Sequence, residues 1–231
     1  MKILTIMGTP HNGNTRAIVD LFLKEFEDNK NTFDEIVIPK DFNNICCGCA
    51  NCILLGEDKC PHYKEVSPLI KKIEDADLII IGTPIFVGSC TSGLKTFLDH
   101  MAYIWLVHRP KKKMFNKVGL IITSAGGSGV KETVKLVKKN MFYWGMPQIF
   151  NYGVTTMKMG GNYSEYKNKE IIINQVNKKA NQVKNALNNR KVGFKTKFFF
   201  KLFRMTQKNG WNKTDSNYWK KQGWLDGKKP Y

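Results

Sequence analysis

Lys2-Ile3-Leu4-Thr5-Ile6-Met7-Gly8-Thr9-Pro10-His11-Asn12-Gly13-Asn14-Thr15 begins as an apolar run and ends as a polar turn. Its first six residues are mostly apolar and branched, the pattern of a short strand buried on both faces. Gly8 to Thr15 then collects Gly, Pro and small polar residues, the composition of a turn. Helical spacing follows at once, with Ala17, Ile18, Leu21, Phe22 and Phe26 on one face. A buried strand, a tight turn and a helix start are the parts of an anion site. The backbone N–H groups and the positive end of the helix dipole face whatever sits in the turn. Thr9, Asn14 and Thr15 add side-chain donors to such a phosphate cradle. The competing reading is an ordinary βα turn in which Asn14 or Thr15 caps the helix. The turn matches neither the dinucleotide glycine fingerprint nor the nucleotide-triphosphate loop. A phosphate held here belongs to something smaller than a dinucleotide, or to a dinucleotide bound differently.

Outward from this turn, strand and helix patterns alternate. Strands are expected at 35–38, 77–82, 118–123 and 149–154, and helices at Tyr63–Asp75, 91–105, 131–143 and 166–189. The 77–82 run, Asp77-Leu78-Ile79-Ile80-Ile81-Gly82, reads as the centre of a parallel sheet. It opens into Thr83-Pro84-Ile85-Phe86-Val87-Gly88, which sets an exposed aromatic beside a glycine and suits a flat ring; alternatively, Ile85 and Phe86 cap the core. The 118–123 strand opens into Ser124-Ala125-Gly126-Gly127-Ser128-Gly129, whose glycines let backbone amides approach a ligand closely. This alternation predicts an α/β fold, a doubly wound parallel sheet with helices on both faces. The three unusual loops all follow strands, so they gather at one rim, where doubly wound sheets bind ligands.

The 231 residues fit one α/β domain (1–190) with an appendage (191–231). No apolar run approaches the ~20 residues of a membrane span, and the N-terminal run is too short for a signal peptide. A cytoplasmic protein is the expectation. The formal charge is +18, and half of it sits in 191–231, where 11 Lys/Arg face 2 Asp. Such a balance suits acidic proteins, anionic membranes or nucleic acid, nucleic acid being the least favoured here. Helical spacing over Phe194–Lys208 places Lys197, Lys201, Arg204 and Lys208 on one stripe, with Phe198, Phe199, Leu202, Phe203 and Met205 around the rest. The helix can pack on its own domain or a second copy, or lie on an anionic membrane. Trp211, Trp219 and Trp224 read as further packing anchors. The 109–113 segment reads as a solvated basic connection. His11, His62, His100 and His108 are scattered in sequence and suggest no histidine metal site.

Residues 46–60 form a cysteine-rich insertion. Cys46, Cys49 and Cys52 are each separated by two residues, and Cys60-Pro61 follows. That spacing directs several thiolates at one centre and is like the ferredoxin-type run, which also closes on Cys-Pro. Three readings stay open: a cubane [4Fe-4S] cluster on Cys46, Cys49, Cys52 and Cys60; a structural zinc; or free thiols in a reducing compartment. Cys47 is the odd member.

Together these residues resemble the flavodoxin-like NAD(P)H-dependent FMN reductases, and within them the iron–sulfur flavoproteins. The resemblance rests on Gly8-Thr9-Pro10-His11 through Asn14-Thr15, the Cys-x-Gly-Cys-x-x-Cys run, and Pro84-Ile85-Phe86-Val87-Gly88. Ser92-Gly93-Leu94-Lys95 and Phe97-Leu98-Asp99 complete it. It implies a five-stranded sheet of order 2-1-3-4-5. It also implies FMN, its phosphate on Thr9, His11, Gly13, Asn14 and Thr15, and its ring against Pro84, Ile85, Phe86, Val87, Gly88, Ser124, Gly126 and Gly127. The chain departs from the family in carrying His11 where Arg is common and in the long gap between Cys52 and Cys60. The expected activity is FMN-dependent transfer of electrons from NAD(P)H, or from a reduced carrier, to a small molecule such as a quinone. The alternatives are an electron-transfer module docking on an acidic ferredoxin-like protein and a redox or metal sensor. The resemblance assigns no catalytic side chain, and a homo-oligomer is expected.

Overall fold

Strand β3 (Leu78–Pro84) is buried along all but its last residue, and β4 (Val118–Ala125) along its whole length. Both faces of these strands are therefore covered, which is why their sequences run apolar without alternating. With β1 (Lys2–Met7), β2 (Thr32–Val37) and β5 (Gln148–Thr155) they make one parallel sheet in the order β2-β1-β3-β4-β5. The computed structural model describes residues 1–156 and 168–231.

The helices are α1 (Asn14–Lys24), α2 (Asn51–Leu54), α3 (Tyr63–Asp75), α4 (Ser92–His100), α5 (Val130–Tyr143), α6 (Lys169–Asn188), α7 (Phe194–Lys208) and α8 (Lys213–Lys221). Helices α3, α4 and α5 bury Ile70, Ile73, Phe97 and Met141 against Leu4, Ile6, Ile79 and Ile121. On the opposite face α1 and α6 bury Ile18, Phe22, Val176 and Val183 against Ile3, Met7, Ile80 and Ile122. The strand period of two sends alternate side chains of β1 and β3 into these two cores. Gly82 lets α1 come close: a Cβ there would lie 2.8 Å from the Met7 sulfur and 2.9 Å from a Val19 methyl.

Local chemistry set the element ends that differ from expectation. Edge strand β2 starts at Thr32, three residues before the expected start at 35, because pairing with β1 continues to Lys2. The helix expected over 91–105 ends at His100 and gives way to a 3₁₀ turn at Ala102–Ile104; Thr91 stands outside it and accepts the Leu94 N–H as a cap. The start expected at residue 166 for α6 lies outside the described residues.

Residues of the C-terminal segment build a third core. Phe200 of α7, Trp219 of α8 and Trp224 cluster with Leu106 and Phe115, and Phe200 stacks on Trp219 at 4.9 Å. Packing on its own domain is thus one fate of this segment. Trp211 departs from the expected pattern: it is 58% exposed and stacks over His108 at 5.5 Å. On α7, Phe194, Phe198, Leu202 and Met205 stay exposed on the side away from Phe200. No helix among the described residues is long and apolar enough to cross a membrane.

Candidate functional site

The winding of the sheet reverses between β1 and β3, and the carboxyl ends of β1, β3, β4 and β5 open into one cleft. Its walls include Thr9, His11, Gly13, Asn14, Thr15, Pro84, Ile85, Ser124, Ala125, Gly126 and Thr156. Nine residues expected from the sequence therefore meet here. Phe86, Val87 and Gly88 form an exposed turn beyond Ile85, and Gly127 is exposed beyond Gly126. Ala125 belongs to the expected 124–129 loop, whereas Thr156 was not anticipated. The only sequence signal for Thr156 is its position at the end of a strand, the same rim the three loops share.

Hydrogen bonds fix the cleft's shape. The Thr15 and Ser124 hydroxyls bond at 2.6 Å and tie the first loop to the third. The Ile85 N–H donates to the Ser124 carbonyl at 2.9 Å, and the Thr156 N–H to the Ala125 carbonyl at 2.8 Å. Helix α1 follows Gly13, which occupies the cap position and has no side chain to cap it with. The capping reading of Asn14 and Thr15 is therefore not what the structure adopts. The first N–H groups of any helix lack intrahelical acceptors, so an anion at this end completes them. Arg16, adjacent to the cradle, turns away to Asp20 at 3.0 Å and Glu35 at 2.6 Å. Positive potential in the cleft thus comes from the helix end rather than from an arginine. The turn at Val87 is held in the left-handed region (φ 49) by reciprocal Phe86–Ser89 backbone bonds of 2.9 and 3.1 Å. A donor-rich, arginine-poor cradle beside an apolar turn fits a singly phosphorylated, flat cofactor such as FMN.

A second cluster lies at the cysteine insertion. Burial, and then the neighbouring Cys60, Cys46 and Cys49 thiols, push Cys52 up to about 11. Burial likewise pushes Cys60 up, opposed by the His62 backbone N–H and reinforced by Cys46, Cys49 and Cys47. Among the described residues, though, Cys46, Cys49 and Cys52 do not gather with Cys60 into a set of ligand atoms within 4.8 Å of one another. The histidines are not all scattered, contrary to the sequence expectation. His62 Nδ1 lies 2.9 Å from His100 Nε2, and Cys60 joins them, the ligand atoms of all three within 4.8 Å. Burial pushes the His100 imidazole below its ordinary value.

The 109–113 segment also differs from its sequence reading. Arg109 is 2% exposed and forms a buried ion pair with Asp215 of α8. It donates as well to Glu57 at 3.1 Å, to the Ile53 carbonyl at 3.1 Å and to the Cys52 carbonyl. His108 Nδ1 meets the other Asp215 oxygen at 2.8 Å. Thr214 and Asn212 donate to the Leu54 and Ile53 carbonyls at 2.7 and 3.3 Å. The C-terminal segment therefore clamps the turn that carries Cys52.

Comparison with known proteins agrees with this geometry. An iron-sulfur flavoprotein of Archaeoglobus fulgidus is 28% identical over 164 residues, spanning 69% of this chain and 72% of that protein. An iron-sulfur flavoprotein of Methanocaldococcus jannaschii is 31% identical over 147 residues, spanning 62% and 72%. Among solved structures, the NAD(P)H:quinone oxidoreductase of Methanothermobacter marburgensis superposes with a TM-score of 0.63 at 15% identity, covering 80% of this chain and 97% of that one. An FMN-dependent NADH-azoreductase of Bacillus anthracis in complex with FMN gives 0.60 at 13% identity, covering 78% and 98%. At such identity these two structures speak to the fold alone. The profile of the NADPH-dependent FMN reductase family matches residues 1–158. With that match across the sheet and its cleft, the chain belongs to the NADPH-dependent FMN reductase family and is an FMN-dependent oxidoreductase.

Proposed function

We propose that the cleft at the β1/β3 crossing holds FMN, and that electrons from NAD(P)H pass there to a small acceptor of the quinone or azo class. The observation that carries this reading is the meeting of the 9–15, 84–88 and 124–127 loops at one rim. FMN supplies the redox chemistry, taking a hydride and releasing electrons singly or in pairs. The chain's part is placement. Thr9, His11, Gly13, Asn14 and Thr15 hold the phosphate; Pro84, Ile85, Phe86, Val87 and Gly88 line one side of the ring; Ser124, Gly126 and Gly127 offer backbone to the other. The Thr15–Ser124 bond keeps phosphate cradle and ring loop in register. No side chain is assigned as acid or base.

Stopped-flow mixing of the FMN-loaded chain with NADPH or NADH tests the reading. The expected result is loss of the oxidised flavin absorbance, restored by a quinone. A purified chain that takes up no FMN overturns it.

A second reading is favoured by the spacing of Cys46, Cys49, Cys52 and Cys60 in the chain. In it Cys46, Cys49, Cys52 and Cys60 hold a [4Fe-4S] cluster that passes single electrons to an acidic carrier protein, and relatives bear the name iron-sulfur flavoprotein. Anaerobic iron and sulfide assays decide whether a cluster is present. Reduction by ferredoxin that falls steeply with salt supports the carrier. The exposed stripe of α7 supports contact with a second copy, or with an anionic membrane from the cytoplasmic side. Liposome co-sedimentation of the full chain, compared with its Phe198→Ser/Leu202→Ser variant, separates the two.

A further inference from the structure

Three potential metal ligands meet where the cysteine insertion joins α3. Cys60 stands two residues before His62, which precedes the first residue of α3, and His100 closes α4 from 38 residues further on. Their ligand atoms all lie within 4.8 Å of one another. His100 is 3% exposed and packs edge-on against Phe42 at 4.8 Å. Its Nδ1 lies 2.8 Å from the Thr96 carbonyl. A carbonyl can only accept, so the proton is on Nδ1 and the lone pair of Nε2 points at His62. Histidine ligands are commonly oriented by such a second hydrogen bond.

We propose that Cys60, His62 and His100 bind one divalent ion of the zinc class, with water in the fourth position. One thiolate and two imidazoles are borderline-soft ligands, which favour Zn2+ and disfavour Mg2+ or Ca2+. Zn–N bonds of about 2.0–2.1 Å put two tetrahedral nitrogens about 3.3 Å apart. The His62–His100 separation of 2.9 Å needs only a small widening to reach that. Binding shifts the proton of the neutral His62 ring from Nδ1 to Nε2 by exchange with solvent, and the Cys60 thiol releases one proton to solvent. Because the four-cysteine arrangement also needs Cys60, the two occupancies exclude each other. Ion binding at this site does not depend on the flavin.

Full-length, iron-free, reduced protein is titrated with Zn2+ against a chromophoric chelator, with and without FMN. One ion per chain is expected. His62→Ala, His100→Gln and Cys60→Ser should each weaken it roughly 100-fold, whereas the Cys46→Ser/Cys49→Ser double variant should leave it unchanged. His62 is half-buried, so His62→Ala decides the matter even where His100→Gln misfolds. Tight binding that survives His62→Ala but is lost in Cys46→Ser/Cys49→Ser overturns the proposal. So does the absence of binding by the intact chain.

Discussion

Arg109 and Asp215, 106 residues apart in the chain, meet as a buried ion pair between the connection after α4 and helix α8. The remaining donors of the same guanidinium reach Glu57 and the carbonyls of Cys52 and Ile53. One side chain thus joins the C-terminal segment to the cysteine turn. Removing one partner of a buried pair leaves the other charge uncompensated, which costs more than the pair itself is worth. Asp215→Ala should therefore lower stability by about 3 kcal/mol or more. The double variant Arg109→Met/Asp215→Leu should cost less than either single change. Urea unfolding measures this, and Cys52 in Asp215→Ala should react faster with a thiol reagent as its turn loosens. A double variant worse than both singles would show that the pair is not what couples the segments.

Thr15→Val removes the 2.6 Å bond to Ser124 while keeping the side chain's shape. Loss of one buried hydrogen bond costs about 1–2 kcal/mol, so FMN affinity should fall roughly 10-fold with the fold intact. His11→Arg should act the other way. Its fixed charge and planar fork suit a phosphate, and affinity should rise roughly 5-fold with a steeper salt dependence. Flavin fluorescence quenching reads both variants.

Val87 is β-branched, 89% exposed and held at φ 49. A left-handed backbone costs such a residue about 1–2 kcal/mol, and Asn tolerates it far better. Val87→Asn should raise stability by about 1 kcal/mol, read as a higher Tm. A lowered Tm would mean that the turn owes its shape to valine contacts.

Lys117 is buried and donates to the Glu74 carbonyl at 2.7 Å and to the Ala76 carbonyl. Burial pushes its pKa from the ordinary 10.5 down to about 8. Below pH 8 the lysine is charged in both states, and the folded state bears the full desolvation cost. Between about 8 and 10.5 the folded chain has released a proton that the unfolded chain keeps, so this group's contribution to stability rises with pH. Its relative gain is complete above the unfolded value and is lost as pH falls through 8. The stability difference between the wild type and Lys117→Met should move in favour of the wild type by about 2 kcal/mol from pH 8 to 10.5. A flat difference would place the ammonium in solvent.

The sequence by itself determined the sheet and the rim. Buried parallel strands are unbroken apolar runs, so 77–82 and 118–123 announce themselves. A strand, a polar turn and a helix start in direct succession place Thr9 to Thr15 at a strand's carboxyl end. Loops after parallel strands share an edge whatever the details, so most of the cleft was legible from the order of residues alone. Only the tertiary structure decided the rest, because each remaining feature is a pairing between residues with no sequence relation. Arg109 sits in a run of basic residues, the usual mark of a solvated surface, and its burial depends on an acid 106 positions later. His62 and His100 lie 38 positions apart and meet because α3 and α4 pack on one face of the sheet. Helical periodicity marks α7 as amphipathic but does not choose which apolar stripe faces inward. Phe200 was chosen by Trp219 and Trp224, which supplied the surface it packs on. Local pattern fixes elements because backbone geometry repeats locally; long-range partners are fixed only when those elements meet.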